Sequence, residues 1–299
     1  MGRALAEAFA AARHLFEEVD DALSQRLSRL MFEGPESELM LTENAQPALM
    51  AASLAVIRVL EAEAGLALAR QVAYVAGHSL GEYSALAAAR ALSVPDAARL
   101  LKQRGQAMQK AVPVGEGAMA ALLGIDLEAA CAAAQEAARA EGGVCAVAND
   151  NGPGQIVVSG ARGAVERAVV LARDHGARRA IMLPVSAPFH CPLMKPAAET
   201  MAEALQQVTL RAPAVPLVAN VTAAPVTQPE TIKDLLVEQV TTMVRWRETV
   251  EFFRSSEVEE VAEIGAGRVL AGLVKRIDAD MSAVSVGTPD EVESLMKRL

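Results

Sequence analysis

Aromatic residues are scarce in this chain: phenylalanine, tyrosine and tryptophan together make up 3% of its 299 residues. A core without large rings has to be filled by Ala, Val, Leu and Met. These supply most of the 52% hydrophobic content and favour helices packed closely on a sheet. Cysteine is limited to Cys131, Cys145 and Cys191, an odd number without zinc-ligand spacing. That argues against a disulfide framework or a metal site and fits a reducing cytosol. Positive charge is also in deficit: the net charge is −9, with no long basic run, which speaks against nucleic acid as a partner. No run approaches ~18 uncharged apolar residues, and Met1 to Glu7 does not form a signal peptide, so a cytoplasmic protein without a membrane partner is expected.

The length exceeds the usual single core, which suggests one large domain with a smaller one inserted in it. Met1 to Leu30 reads as a helix, with Leu5, Phe9, Ala12, Phe16, Val19 and Leu23 on one face. Thr42 to Pro47 is a helix entry leading into an apolar helix, Ala48 to Glu63. A strand is expected over 71–76 and a helix from Ser84 to Leu92. A further helix runs to about Lys110, with Ser93 as N-cap and Asp96 closing a capping box. From Gly115 the pattern becomes strand (117–123), helix (126–140), strand (144–149), strand (155–159), helix (162–175), strand (178–183). That βαββαβ order is the split arrangement of a ferredoxin-like unit. A helix (193–207), the strand Val215–Asn220, helices near 229–254, the strand Val261–Ile264 and a helix (268–277) follow. The expected fold is therefore α/β. A hydrolase-like large domain with a mainly parallel sheet takes 1–114 and 186–299, and an inserted ferredoxin-like small domain takes 115–185.

Residues 77–81, Gly77-His78-Ser79-Leu80-Gly81, form a G-x-S-x-G pentapeptide between the expected strand and helix. A serine on such a sharp turn projects its hydroxyl. The flanking glycines leave room for the turn, and the amides opening the next helix face any oxyanion formed on an acyl group. The plain alternative is a serine that only caps the helix. Ser79 needs a base, and four histidines are available. His78 leaves the turn in another direction, His14 lies among charged neighbours, and His175 ends a helix. His190 sits in Pro188-Phe189-His190-Cys191-Pro192, a loop stiffened by proline on both sides, as a general base that must hold its position requires. A packed loop histidine is the alternative. Arg104 falls on the apolar stripe of Ala97, Leu100, Leu101 and Met108, so it has to pair with an internal carboxylate or with a substrate carboxylate held by its guanidinium fork.

Gly77 to Tyr83, Arg104-Gly105-Gln106-Ala107-Met108, Ser186 to His190, Glu263 to Gly267, Glu43 to Leu49 and Asn151 to Gln155 together resemble the malonyl-CoA:acyl-carrier-protein transacylases of bacterial fatty-acid synthesis, in order and over nearly the whole chain. The resemblance implies Ser79 as nucleophile, His190 as base, Leu80 as an oxyanion amide and Arg104 as the seat of the malonyl carboxylate. It implies Phe189 as a gate beside the acyl pocket, with Gln46 and Asn151 lining the cleft. It further implies a ping-pong route with malonyl-CoA and acyl carrier protein as partners, the coenzyme A thioester as substrate and no cofactor. Arg245, in Val244-Arg245-Trp246, stands near the position whose backbone carbonyl orients the histidine in relatives. Family members begin with a strand and a Gly-Gln-Gly-Ser-Gln segment whose glutamine is a second oxyanion donor. Met1-Gly2-Arg3 starts just after it, so the second donor is in question. A serine hydrolase of the same elbow type and a weakly active carrier-protein binder are the competing expectations. Because carrier proteins are acidic, a local basic patch of Arg178, Arg179, Lys275 and Arg276 is expected near the cleft.

Overall fold

The computed structural model describes residues 1–299. Three helices, α1 (Arg3–Ala8), α2 (Ala10–Leu23) and α3 (Leu27–Glu33), replace the single helix expected over 1–30. Phe9 is extended between the first two, and Ser24 ends the second in the left-handed region at φ 48°. The Asp20 carboxylate locks this second break by accepting from the Ser28 amide at 2.8 Å and its hydroxyl at 2.5 Å. Beyond α4 (Glu36–Leu39), the helix α5 (Thr42–Ala64) is long and apolar enough to cross a membrane, yet it is the central core helix, packed by α2 and its successors.

After α6 (Leu68–Gln71) the strand expected over 71–76 shrinks to one parallel bridge, Val75 against Leu217. The helical turn takes its first residue, and only Val75 pairs, through Val75 N to Pro216 O at 3.0 Å and Val218 N to Val75 O at 2.9 Å. The next helix, α7 (Gly81–Ala88), begins and ends earlier than expected, and α8 (Val94–Ala111) follows. Ser93 caps α8 by accepting from the Asp96 amide at 3.1 Å, but the capping box is incomplete. The Asp96 carboxylate, one methylene shorter than a glutamate, takes the Ser93 hydroxyl at 2.6 Å instead of its amide.

Residues 117–182 form a unit whose elements lie within two residues of expectation: β1 (Gly117–Leu123), α9 (Leu127–Glu141), β2 (Cys145–Asp150), β3 (Gln155–Ala161), α10 (Arg162–Asp174) and β4 (Arg179–Met182). The sheet order is β2-β3-β1-β4, antiparallel throughout. Its core of 17 buried residues is drawn entirely from 118–177, with Ala130, Ala133, Ala134 and Ala137 letting α9 approach α10 closely.

The chain then passes through the 3-10 turn Pro192–Met194 into α11 (Lys195–Gln206), β5 (Leu217–Val218), β6 (Pro225–Val226), α12 (Pro229–Gln239) and α13 (Trp246–Ser255). It ends in β7 (Glu260–Ile264), α14 (Val269–Ile277), β8 (Ser282–Val286) and α15 (Pro289–Met296). The mainly parallel sheet expected for the large domain is not formed as one sheet. Parallel pairing is confined to β7 with β8 and to the Val75 bridge, while β5 and β6 are antiparallel. Helix packing carries this part of the molecule instead, in a cluster of 45 buried residues. The elements β6, β8 and α15 went unforeseen, although Thr288 and Glu291 make a complete capping box that the sequence displays.

The two parts are stitched together beside the Ser79 turn. Asp150 N donates to Val244 O at 3.0 Å, Val244 N donates to Ala148 O at 2.9 Å, and the Arg247 guanidinium pairs with the buried Asp150 carboxylate at 2.8 Å. On the other side, Gly105 lets α8 press against the start of α5. A Cβ there would lie 2.5 Å from Glu43 Cα. Gly105→Ala is therefore expected to cost about 1–3 kcal/mol, read by chemical denaturation. A variant as stable as the parent would show that the two helices can slide apart freely.

Candidate active site

The turn at Ser79 is enforced by sterics and by one asparagine. A Cβ at Gly77 would sit 2.0 Å from Gly81 C, so only glycine admits the return of the chain. Ser79 holds φ 54°, an uncommon conformation for a side-chain-bearing residue. Asn220 clasps it from below: its Oδ1 accepts from Ser79 N at 2.7 Å and its Nδ2 donates to Gly77 O at 2.8 Å. The Ser79 amide is thereby used. The Leu80 amide, next in the chain, takes part in none of the turn and cap hydrogen bonds.

Ser79 and His190 meet across 111 positions of sequence, with Ser79 Oγ 2.7 Å from His190 Nε2. His190 Nδ1 lies 2.8 Å from the backbone carbonyl of Gln239. A carbonyl only accepts, so Nδ1 carries the proton and Nε2 is left as an acceptor for the serine hydroxyl. Burial, and then the nearby Arg104 charge, lower the His190 pKa to about 3, which keeps the ring neutral and able to take a proton at ordinary pH. The expected orienter, Arg245, does not do this. Its carbonyl is taken up by the first turn of α13, accepting from the Thr249 amide and hydroxyl at 3.0 Å each, while its guanidinium pairs with Glu248 and donates to Val221 O. Gln239, the last residue of α12, supplies the carbonyl instead. An internal glutamine in an otherwise ordinary amphipathic helix gives little sequence signal, beyond being polar and fully buried once folded.

Arg104 is 1% exposed and sits beside the serine. Its Nη1 donates to Gln46 Oε1 at 2.8 Å, and its Nη2 donates to Ser79 Oγ at 3.0 Å and to Gln239 Oε1 at 2.9 Å. The Tyr83 ring lies under the guanidinium, 5.9 Å from Cζ to centroid. No carboxylate forms a salt bridge with it, and its Nε has no partner at all. The internal ion pair allowed by the sequence is therefore not made. Glu82, the acid whose charge it feels, is buried, and that burial raises the carboxyl pKa to about 8.

The remaining candidates surround this centre at different depths, with Gln46 buried and Asn151 and Phe189 partly exposed. Gln46 bonds Arg104 directly. Asn151 Oδ1 lies 2.8 Å from His78 Nε2 and ties the loop after β2 to the elbow, while burial lowers the His78 pKa. Phe189 is half-buried, packed both on the main core and on Met119, Ala148 and Val157. His14 is exposed, and His175 contacts Glu136 at 3.2 Å, so neither approaches Ser79. No group of His, Cys, Asp and Glu side chains is arranged to hold a metal ion. The geometry thus brings together a serine, a neutral imidazole acceptor, an uncompensated cation and a free backbone amide, the parts an acyl transfer from a carboxylated donor needs.

The model of the acyl transferase domain family matches residues 1–291. The chain is 45% identical to the malonyl CoA-acyl carrier protein transacylase of Bacillus subtilis over 299 residues, covering all of this chain and 92% of that protein. Among solved structures it is similar to the acyl-carrier-protein-S-malonyltransferase of Bartonella henselae, at 56% identity and a TM-score of 0.96, over 100% of this chain and 94% of that one. It is also similar to a malonyl-transacylase solved in complex with its type II PKS acyl-carrier protein, at 42% identity and a TM-score of 0.95, over 100% of this chain and 95% of that one. The chain belongs to the acyl transferase domain family. Within that family, its likeness is to the malonyl transacylases.

The lowered His190 pKa fixes a pH dependence. The folded value lies below the ordinary one, so the neutral ring persists on acidification while the unfolded chain binds the proton first. Acylation of Ser79, followed by rapid quench, should keep its rate from pH 7 to below pH 5, whereas the His190 contribution to stability falls as pH drops below about 6.5. A rate that halves near pH 6.5 would show that the ring is solvated.

Proposed function

We propose that this protein carries malonyl from coenzyme A to the phosphopantetheine thiol of an acyl carrier protein through an ester on Ser79, supplying malonyl units for fatty-acid synthesis. The observation that carries this reading is Arg104. A buried guanidinium with no paired carboxylate, in hydrogen-bond contact with the serine hydroxyl, favours a donor whose acyl group brings its own negative charge. A serine hydrolase has no use for a permanent cation at that place.

In this reading His190 Nε2 takes the Ser79 proton as Oγ attacks the thioester carbonyl. The resulting oxyanion faces the Leu80 amide and the start of α7, while the malonyl carboxylate replaces the serine contact on Arg104. Collapse expels coenzyme A as the thiolate, which takes the proton from His190. The carrier thiol then gives its proton to the same nitrogen and attacks the ester; as the C–O bond breaks, the Ser79 oxygen takes that proton back from His190 and the carrier leaves with the malonyl group. Gln46 holds the guanidinium, and Phe189 and Asn151 shape the walls. No cofactor enters these steps.

We further read residues 115–185 as a ferredoxin-like unit inserted between 1–114 and 186–299 of a hydrolase-like domain. The sheet order and the separate core support this division. The carrier is taken to dock on the rim where the two parts meet. Arg178 and Arg179 are exposed there and form no ion pair, and the Arg178 stem lies over Gly124, whose amide is bound to Gly154 O. The neighbouring Gln155 is contacted by exposed Arg276, beside Lys275.

Mixing with malonyl-CoA and recording the intact mass tests the central step. The label should persist until a thiol is added, be absent from Ser79→Ala, and form about 10²–10⁴ times more slowly in His190→Ala. Rapid loss of the label to water would assign a hydrolase, and a label on Ser79→Ala would remove the serine from the reaction. Arg104→Ala should weaken malonyl transfer and relatively favour acetyl. Charge reversal at Arg178 and Arg276 should raise KM for the carrier protein and leave KM for malonyl-CoA unchanged, while equal effects on both would exclude a docking role.

A further inference from the structure

Glu82 opens α7 directly under the Ser79 turn and is 1% exposed. Both of its oxygens are engaged. Oε1 accepts from the Asn220 amide at 2.6 Å, and Oε2 accepts from the side-chain amide of Gln239. The other hydrogen of that amide goes to Ser79 O at 3.0 Å. With its nitrogen so occupied, Gln239 turns its Oε1 to Arg104, while its main-chain carbonyl holds His190. A side-chain amide has an accepting end and a donating end, and reversal would set two N–H groups against a guanidinium that can only donate. Within this cluster it is the acceptor-only edge of Glu82, together with Ser79 O, that excludes the reversed orientation.

We propose that Glu82 is a positioning residue for carboxylate recognition: by accepting from the Gln239 amide it aims the Gln239 carbonyl at Arg104 and so holds the guanidinium beside Ser79 without itself pairing with it. This rests on the reading of Arg104 as the seat of the malonyl carboxylate. A glutamate in direct contact would quench the cation. Placed one residue behind, it orients the cation and leaves the charge for the substrate. Burial pushes the Glu82 carboxyl up to about 8, against the opposing influence of Asn220, Gln239 and Arg104, whereas both of its oxygens accept from N–H donors, the arrangement that an acceptor-only carboxylate makes.

The nearly isosteric Glu82→Gln presents an NH2 group to Gln239 and forces its amide to reverse. Acyl-enzyme formation from malonyl-CoA and acetyl-CoA should be measured for Glu82→Gln, Gln239→Ala and the double variant, with thermal melting recorded alongside. The malonyl-to-acetyl preference should fall about tenfold or more in Glu82→Gln, mainly through KM for malonyl-CoA, with acetyl turnover changed far less. In the Gln239→Ala background the same substitution should have little further effect on the preference, because its hydrogen-bonded route to Arg104 is gone. An unchanged preference with both acyl groups slowed equally would reduce Glu82 to a structural role, and additive effects in the double variant would remove Gln239 from the path. Should Glu82→Gln fail to fold, Gln239→Ala decides alone, and an unaltered preference there overturns the proposal. Arg104→Ala separates the two levels. If it leaves the preference intact, the carboxylate seat itself is wrong, whereas a lost preference with a silent Glu82→Gln sinks only the role of Glu82.

Discussion

A single buried guanidinium sets the terms for everything around it. Removing a full charge from water is expensive, and Arg104 is compensated only by neutral oxygens, an aromatic face and the Glu82 carboxyl that lies behind Gln239. Gln46 and Gln239 come from helices on opposite sides, so α5, α8 and α12 must all hold their places for the cation to stay satisfied. The glycine contact between α8 and the start of α5 serves the same end, since any separation would pull Gln46 away. Ser79 is placed within this assembly by Asn220 and shares Arg104 with it. Stability and reactivity therefore draw on the same few hydrogen bonds, and a change to any of them alters both.

The parts of this arrangement differ in how openly the sequence displays them. Ser79, His190 and Arg104 were legible because each breaks a local rule: a glycine-flanked serine at a strand–helix junction, an imidazole between prolines, a charge on an apolar stripe. The unit spanning 117–182 was legible too, since its strands and helices are locally complete and each buries its own periodic face. Gln239 escaped because its role is carried by a backbone carbonyl, which every residue has, and by an amide whose partners lie as many as 160 positions away. Arg245 drew attention by its type and proximity, yet it belongs to a local pair with Glu248. The parallel sheet was overestimated for a related reason. Apolar β-branched runs such as Val72 to Ala76 report burial, and burial here comes from helices more than from neighbouring strands.

Glu82 illustrates how an acid can matter without acting as an acid. The pentapeptide invites attention to the serine, and the residue after it is easily taken for a helix-opening glutamate that favours the N-terminal dipole. Its surroundings say otherwise, because both oxygens face inward on to Asn220 and Gln239. The elbow, the base and the cation are thus joined through two residues, Asn220 by its side chain and Gln239 by its side chain and its main-chain carbonyl, with Glu82 beneath them. Segment 239–247 extends this frame outward, through Val244 and Arg247, to the end of β2.

The pairing of β1 with β4 has a consequence for how the chain reaches this state. Ala120 lies opposite Met182, so the stretch from 117 to 182 leaves almost where it entered. Until that stretch folds, any contact between the first and last thirds of the molecule must close a loop containing all of it. Once it has folded, the effective loop is only a few residues long, a saving of about four doublings, or about 2.5 kcal/mol of closure entropy. Folding of this unit first would therefore lower the entropy cost of bringing Ser79 to His190, which lie 111 positions apart on either side of it.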